Sequence, residues 1–305
     1  MTNQSWTELS ERLSALAEDG GRSAVRVEAR RAPASGTIWS PDGVVVTAHH
    51  NVEWDEDIEV GLFDGRSLRA ELVGRDPGTD LAVLRVQASG LPAPAWAEPG
   101  SLKAGQLLLS LSRPGRALRV GLGPLARAAE AWRTPAGGKL DRYLEADLGL
   151  HPGFSGALVV DLAGSAVGMA TAGLVRGAAL VVPTPTLRRV VGQLLAHGQV
   201  RRGFLGVATI PVRLPPSLEK AAGQAGGLLV TAVEEGSPAE RGGLLLGDAL
   251  LTFGGTALSH PGELLPLLEE DRIGRAVALR LVRAGEVREV AVTVGTRERA
   301  KEARR

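Results

Sequence analysis

The stretch GTIWSPDGVVVTAHHNV, residues 36–52, decides how this chain is read. Two apolar runs flank Pro41-Asp42-Gly43, and the second, with three consecutive valines, stops at two adjacent histidines. Proline presets φ at the first corner of a turn and glycine supplies left-handed backbone, so the segment reads as two short strands and a tight turn. The same texture continues on both sides. AVRVEA, IEVGLF, LRAELVG, LAVLRV, LLLSL, ALVVDL and AVGMA recur between Ser23 and Val182, broken by Asp64-Gly65 and Asp76-Pro77-Gly78. Nine such runs without long helices between them predict a sandwich or barrel of antiparallel strands. The poorly periodic AEAWRTPAGGKL (129–140) reads as a long exposed loop.

The pattern changes at Pro183. Leu187, Val190, Val191, Leu194 and Leu195 share one helical face, and Gly198 after His197 is a stop signal. QVRRG (199–203) reads as a linker. A second unit follows, with strand runs LLVTAV, ALLTF, AVALRLV and EVAVTV and helical candidates SPAERGG and ELLPLLEE. At the other end, Trp6, Leu9, Leu13 and Leu16 recur at helical spacing before Gly20-Gly21. The chain thus divides into an amphipathic N-terminal helix (1–22), a mainly β domain (23–198), a linker with an α+β domain (199–296) and a charged tail (297–305).

Composition narrows the function. A net charge of +1 over 305 residues gives no electrostatic case for nucleic acid or an anionic membrane. The lack of cysteine excludes thiol chemistry, cysteine-based zinc sites and disulfides. No apolar run is long enough to span a membrane. The first twenty residues lack a basic segment followed by an apolar one, which leads to the expectation of a cytoplasmic protein.

The histidines admit two chemistries. A metal would need several ligands converging, whereas neighbouring residues at a strand end point to opposite faces. A catalytic base needs a nucleophile and an orienting carboxylate instead. Gly153-Phe154-Ser155-Gly156 offers the nucleophile, because the flanking glycines allow a tight turn and leave backbone N–H groups open to a developing oxyanion. Asp80 stands where a polar turn gives way to LAVLRV, a place where a carboxylate can be half buried and aimed. Asp76 reads as a turn aspartate. The order His…Asp…Ser is that of the chymotrypsin fold.

With those residues in view, SGTIWSPDGVVVTAHHNV, GRDPGTDLAVL and HPGFSGALVV resemble the two barrels of the HtrA (Deg-type) trypsin-like serine proteases, and RRGFLGV resembles their exit into a PDZ domain. The resemblance covers roughly residues 30–295. It implies a chymotrypsin-like double β-barrel followed by a PDZ domain, and a serine endopeptidase acting on misfolded or regulatory proteins. His50, three residues after Thr47, becomes the base, with His49 a bystander. Asp80 orients it, Ser155 attacks, and the N–H groups of Gly153 and Ser155 form the oxyanion hole. Thr171, Ala172 and Gly173 would wall the substrate site, favouring small or medium apolar side chains. Phe204, Leu205, Gly206 and Val207 would receive a peptide C-terminus, beside a helix near Glu263–Glu269. The resemblance implies no metal or other cofactor, and a homotrimer.

The nucleophile segment departs from the family's usual G-N-S-G-G-P. Phe154 replaces a polar residue, Ala157 and Leu158 replace glycine and proline, and His151 stands where asparagine is common. The alternative these departures suggest is a non-catalytic relative that binds peptides as a scaffold or chaperone. Phe154 also offers no carboxylate to a newly cut N-terminus, so any switching would come from loop rearrangement.

Overall fold

The computed structural model describes residues 3–98, 100, 102–268 and 270–296. A first compact unit ends at Val200 and a second begins at Arg201. The expected charged tail and Glu269 lie outside the described residues.

The first unit opens with helix α1 (Asn3–Gly21). Strands β1 (Ala24–Glu28), β2 (Ala34–Ser40), β3 (Val44–Ala48), β4 (Ile58–Gly61), β5 (Ser67–Asp76) and β6 (Leu81–Val86) close a barrel in the order β1-β2-β3-β6-β5-β4. A second closed barrel, β11-β14-β13-β12-β7-β8, comprises β7 (Leu107–Ser112), β8 (Arg119–Ala129), β11 (Tyr143–Ala146), β12 (Ala157–Asp161), β13 (Ala166–Thr171) and β14 (Leu180–Pro183). The valine run of the opening stretch now has a cause. Val45 points into the first barrel with Ile38, Ala82 and Leu84. Val44 and Val46 face the opposite way, packing with Leu81, Val83, Met169 and Val182. A strand buried on both faces reads as continuous apolar sequence rather than alternation.

Helix α2 (Thr184–His197) covers that outer layer with Leu187, Val190, Val191 and Leu194. Pro185 stands in its first turn, and Gly198 ends it at φ +69°, a conformation glycine adopts without steric cost. Helix α1 packs Leu13, Leu16 and Ala17 on Leu109, Leu111, Leu158 and Val160 of the second barrel. Its C-terminal carbonyl is held by Arg113, whose guanidinium donates to Gly21 O and Ala24 O, both at 2.9 Å, and to Arg116 O at 2.8 Å. Burial pushes the Arg113 pKa down, and carbonyl oxygens, not a carboxylate, satisfy the charge.

Residues 129–140 are not the free loop expected. They form a hairpin of β9 (Trp132–Arg133) and β10 (Lys139–Leu140), with Leu140 fully buried in the layer around Met169. Thr134 Oγ1 donates to Gly78 O at 2.7 Å, and a Cβ at Gly138 would lie 2.1 Å from that same oxygen. This docking on the turn before Asp80 has no periodic signature, because a two-residue strand is too short to show one.

In the second unit, β15 (Gly203–Phe204) pairs with β22 (Gly295–Thr296). A sheet runs β16-β17-β18-β20-β21, from β16 (Val207–Arg213), β17 (Gly226–Val233), β18 (Ala249–Phe253), β20 (Ala276–Arg283) and β21 (Glu286–Thr293). Helix α3 (Pro216–Ala222), helix α4 (Pro238–Arg241) and β19 (Thr256–Ala257) complete the α+β pattern. The helix expected near Glu263–Glu269 is shorter: α5 spans Pro261–Leu264 and gives way to a 3₁₀ turn at Leu265–Leu267. Pro266 lacks the N–H needed to continue an α-helix.

Candidate active site

Strand β3 ends at Ala48, and residues His49–Asn51 form one 3₁₀ turn. The expectation of strand-end alternation therefore gives way to a turn. His49 N donates to Asp80 O at 3.0 Å, and the His49 Nδ1 is buried with no hydrogen-bond partner among the described residues. Burial pushes the His49 imidazole below its ordinary range, against the opposing pull of the Asp80 carboxylate. His50 instead lines an open cleft of about 400 Å³ with Arg30, Asn51, Leu150, His151, Pro152, Gly153, Phe154, Ser155 and Ala172.

Asp80 reaches the histidine from the turn before β6, with φ +56°, a left-handed conformation for which aspartate is among the better-suited residues. The preceding Asp76 shapes that turn, its carboxylate accepting from Gly78 N at 3.2 Å, Thr79 N at 3.1 Å and Thr79 Oγ1 at 2.7 Å. Both oxygens of Asp80 sit on His50 Nδ1, at 3.0 and 2.9 Å, and Oδ1 also accepts from His50 N at 3.1 Å. The carboxylate side chain is 6% exposed and the imidazole 37%. A buried acceptor on Nδ1 selects the tautomer carrying hydrogen there, which leaves Nε2 free as a base toward the cleft.

Ser155 lies between β11 and β12 on the second barrel. Its Oγ accepts from Ala172 N at 3.1 Å, and among the described residues no hydrogen bond joins it to His50. Ligand-free catalytic sites commonly hold such contacts long or poorly aligned. Gly153 and Ser155 donate their N–H groups to no acceptor among the described residues, whereas the intervening Phe154 N bonds His151 O at 3.0 Å. Gly153 (φ +79°) and Gly156 (φ +96°) are forced choices. A Cβ on the first would meet Pro114 at 2.4 Å, and on the second Ser35 O at 1.9 Å.

Phe154, the oddest residue in the motif, is 2% exposed and packs into the second barrel with Leu108, Leu125, Ala157 and Val159. The apolar side chain therefore anchors the loop in the core. His151 meets its ring edge-on at 5.6 Å.

Of the three residues expected to wall the substrate site, only Ala172 lines the cleft. Thr171 is fully buried, and its hydroxyl donates to Asp80 Oδ2. Gly173 backs onto the dyad, since a Cβ there would lie 2.5 Å from both Asp80 Oδ2 and His50 Nδ1. The difference arises because β13 ends at Thr171, whose side chain faces the barrel interface. Sequence reading missed Arg30 at the cleft mouth and a set of buried hydroxyl and amide groups beneath Ser155. The one signal for the latter is Asn51, a side-chain amide that directly follows His50.

In the second unit, Gly206 adopts φ +81°, and a Cβ there would meet Ser237 Cβ at 2.3 Å. The carbonyls of Leu205 and Gly206 accept from Ala239 N and Glu234 N, both at 2.8 Å. Leu205 is buried in the core, and Val207 begins the edge strand β16.

Two closed six-stranded barrels with His50 and Ser155 at one cleft and Asp80 buried behind the histidine are the arrangement of the trypsin-like class of hydrolases. Comparison with known proteins agrees. The family model of the trypsin-like peptidase domain matches residues 34–169, and that of the PDZ domain matches 203–294. A "probable periplasmic serine endoprotease DegP-like" of Chlamydia trachomatis is 34% identical over 266 residues, 85% of this chain and 53% of the relative. One of the same name from Halomonas elongata is 34% identical over 274 residues, 88% of this chain and 57% of the relative. Among solved structures, the HtrA-type protease AlgW with decapeptide superposes with TM-score 0.75 at 26% identity, covering 94% of this chain and 99% of that one. The serine endoprotease from Yersinia pestis gives TM-score 0.75 at 25% identity, covering 94% and 98%. The chain belongs to the HtrA (Deg-type) family of serine proteases with a PDZ domain. It spans about half the length of the curated relatives it matches.

Those relatives are named periplasmic, which overturns the expectation of a cytoplasmic protein. The expectation rested on the lack of an apolar leader within these residues, and such a lack does not specify a compartment.

Proposed function

We propose that this chain is a serine endopeptidase in which Ser155, His50 and Asp80 act as nucleophile, base and orienting carboxylate. The observation that carries the reading is the two-oxygen grip of buried Asp80 on His50 Nδ1, with His50 and Ser155 facing one cleft. Ser155 Oγ, turned toward His50 Nε2, attacks the peptide carbonyl as the imidazole takes its proton. Asp80 holds the ring and stabilises the imidazolium that forms. The developing oxyanion is received by the N–H groups of Gly153 and Ser155, which have no acceptor of their own among the described residues. His50 returns its proton to the leaving amine, and water then releases the acyl group with His50 again as base.

The substrates are proteins or peptides, of which Ala172 touches the bound segment and leaves space for small or medium apolar side chains. Phe204, Leu205, Gly206 and Val207 take a peptide C-terminus, which adds as a strand to the edge of β16. The periplasmic location in the relatives' names supports a periplasmic setting, and the family resemblance supports a homotrimer, which sedimentation would register as three times the chain mass. Labelling by a fluorophosphonate probe, with casein cleavage in parallel, tests the chemistry. Both are expected in wild type and absent in Ser155→Ala and His50→Ala. Folded wild-type protein that neither labels nor cleaves, even with peptides at the PDZ domain, would leave a peptide-binding relative as the reading.

A further inference from the structure

The base and the nucleophile belong to different barrels, so their mutual position depends on what ties the barrels together beneath the cleft. We propose that Asn51, Ser35 and Thr37 of the first barrel form a clamp on the backbone of the nucleophile loop and are positioning residues for Ser155 and its oxyanion donors. The proposal rests on the reading of Ser155 as nucleophile.

Three carbonyls of the loop are each held by a first-barrel side chain. Ser35 Oγ donates to Gly153 O at 2.6 Å, Asn51 Nδ2 to Ser155 O at 2.8 Å, and Thr37 Oγ1 to Gly156 O at 3.0 Å. All three side chains are fully buried. A peptide unit is planar, so fixing its carbonyl fixes the whole plane. The planes 153–154 and 155–156 are thereby held on either side of plane 154–155, which carries the Ser155 N–H. Phe154, buried in the second barrel, restrains one of the two Cα hinges between them. On the other flank, Pro152 O, in the plane that carries the Gly153 N–H, lies 3.0 Å from His151 Nδ1.

The Asn51 amide has one reasonable orientation. Its nitrogen faces Ser155 O, Thr47 Oγ1 at 3.1 Å and Ser35 O at 3.5 Å, and Thr47 Oγ1 spends its own proton on Ser35 O at 2.7 Å. With nitrogen and oxygen exchanged, a lone-pair-bearing atom would oppose all three. The far side of the amide, Oδ1, is buried with no partner among the described residues. Burying such an acceptor is costly, and apolar core would fill the position at less cost if packing alone were required. Asn51 also follows the base directly in sequence. The same 3₁₀ turn therefore presents His50 to the cleft and grips the carbonyl of the nucleophile itself.

The test uses the full chain with Asn51→Leu, Thr37→Val and Thr37→Ser. It measures the rate of fluorophosphonate labelling, kcat and KM on a peptide substrate, and thermal unfolding. Asn51→Leu and the isosteric Thr37→Val are expected to lower labelling rate and kcat by about tenfold or more, since small misplacements of reacting groups are expensive. KM should stay within about twofold, because the bonds removed do not touch substrate. Thr37→Ser keeps the donor and should recover most of the lost rate, an outcome a purely packing role would not give. Folded Asn51→Leu and Thr37→Val proteins that label within about twofold of wild type would overturn the clamp. So would equal losses in Thr37→Val and Thr37→Ser. If Asn51→Leu fails to fold, the Thr37 pair decides alone. Wild type that does not label, or labelling that survives Ser155→Ala, would instead remove Ser155 as nucleophile and take the clamp with it.

Discussion

Replacing Gly173 by alanine adds one carbon at the most crowded point behind the dyad. Its Cβ would lie 2.5 Å from Asp80 Oδ2, 2.5 Å from His50 Nδ1 and 2.9 Å from His50 Cε1. Ordinary contact to carbon is roughly 3.5–4.0 Å, so about 1 Å of movement must be found. Asp80 cannot supply it, being held by His50 N and by the Thr171 hydroxyl. The half-exposed imidazole is the part that yields, and it swings toward the cleft. Misplacing a catalytic group by about 1 Å costs on the order of 100-fold, equivalent to about 2.7 kcal/mol of transition-state stabilisation. Stability should change little, because Gly173 is not in a left-handed conformation and alanine restricts the unfolded chain. The assay is the labelling rate with a fluorophosphonate probe, alongside kcat/KM on a peptide and the thermal midpoint. A folded Gly173→Ala protein labelling within about threefold of wild type would refute the argument that the His50–Asp80 geometry limits the rate.

Three further outcomes follow from the same geometry. Thr171→Val removes the hydroxyl from Asp80 Oδ2 at nearly constant volume, and kcat should fall about tenfold with KM nearly unchanged, read from steady-state kinetics. Phe154→Ala opens a cavity in the second barrel and frees the oxyanion loop, so denaturant unfolding should show a loss of about 3–5 kcal/mol, with labelling reduced beyond what the unfolded fraction explains. His49 supplies a pH dependence. Its pKa is depressed in the folded protein, so the unfolded chain binds the extra proton; its contribution is complete above the ordinary value of about 6.5 and is lost as pH falls toward the depressed folded value. Unfolding midpoints measured down from neutral pH should therefore fall less steeply for His49→Gln than for wild type.

The strands and the order of the chemistry were legible from local sequence. Apolar runs such as Val44–Val46 and LAVLRV, punctuated by Asp-Gly and Pro-Asp-Gly, allow little besides short strands, and the histidine, aspartate and serine stand out as polar residues at the ends of such runs. Those signals are local, set within a few residues by backbone preference and burial. Which residues meet across the barrels was set by the packing of the fold. Phe154 looks like damage to a polar motif until the core of the second barrel receives it. Nothing local to Thr171 and Gly173 signals that the hydroxyl of one and the Cα of the other lie against Asp80. The 129–140 segment looks like loop until Thr134 docks on Gly78. Asn51 is one more polar residue after two histidines until the carbonyl of Ser155, 104 residues away, comes within 2.8 Å. Contacts between residues so distant in the chain leave no periodic trace, because they depend on how two closed barrels press together rather than on how either strand forms.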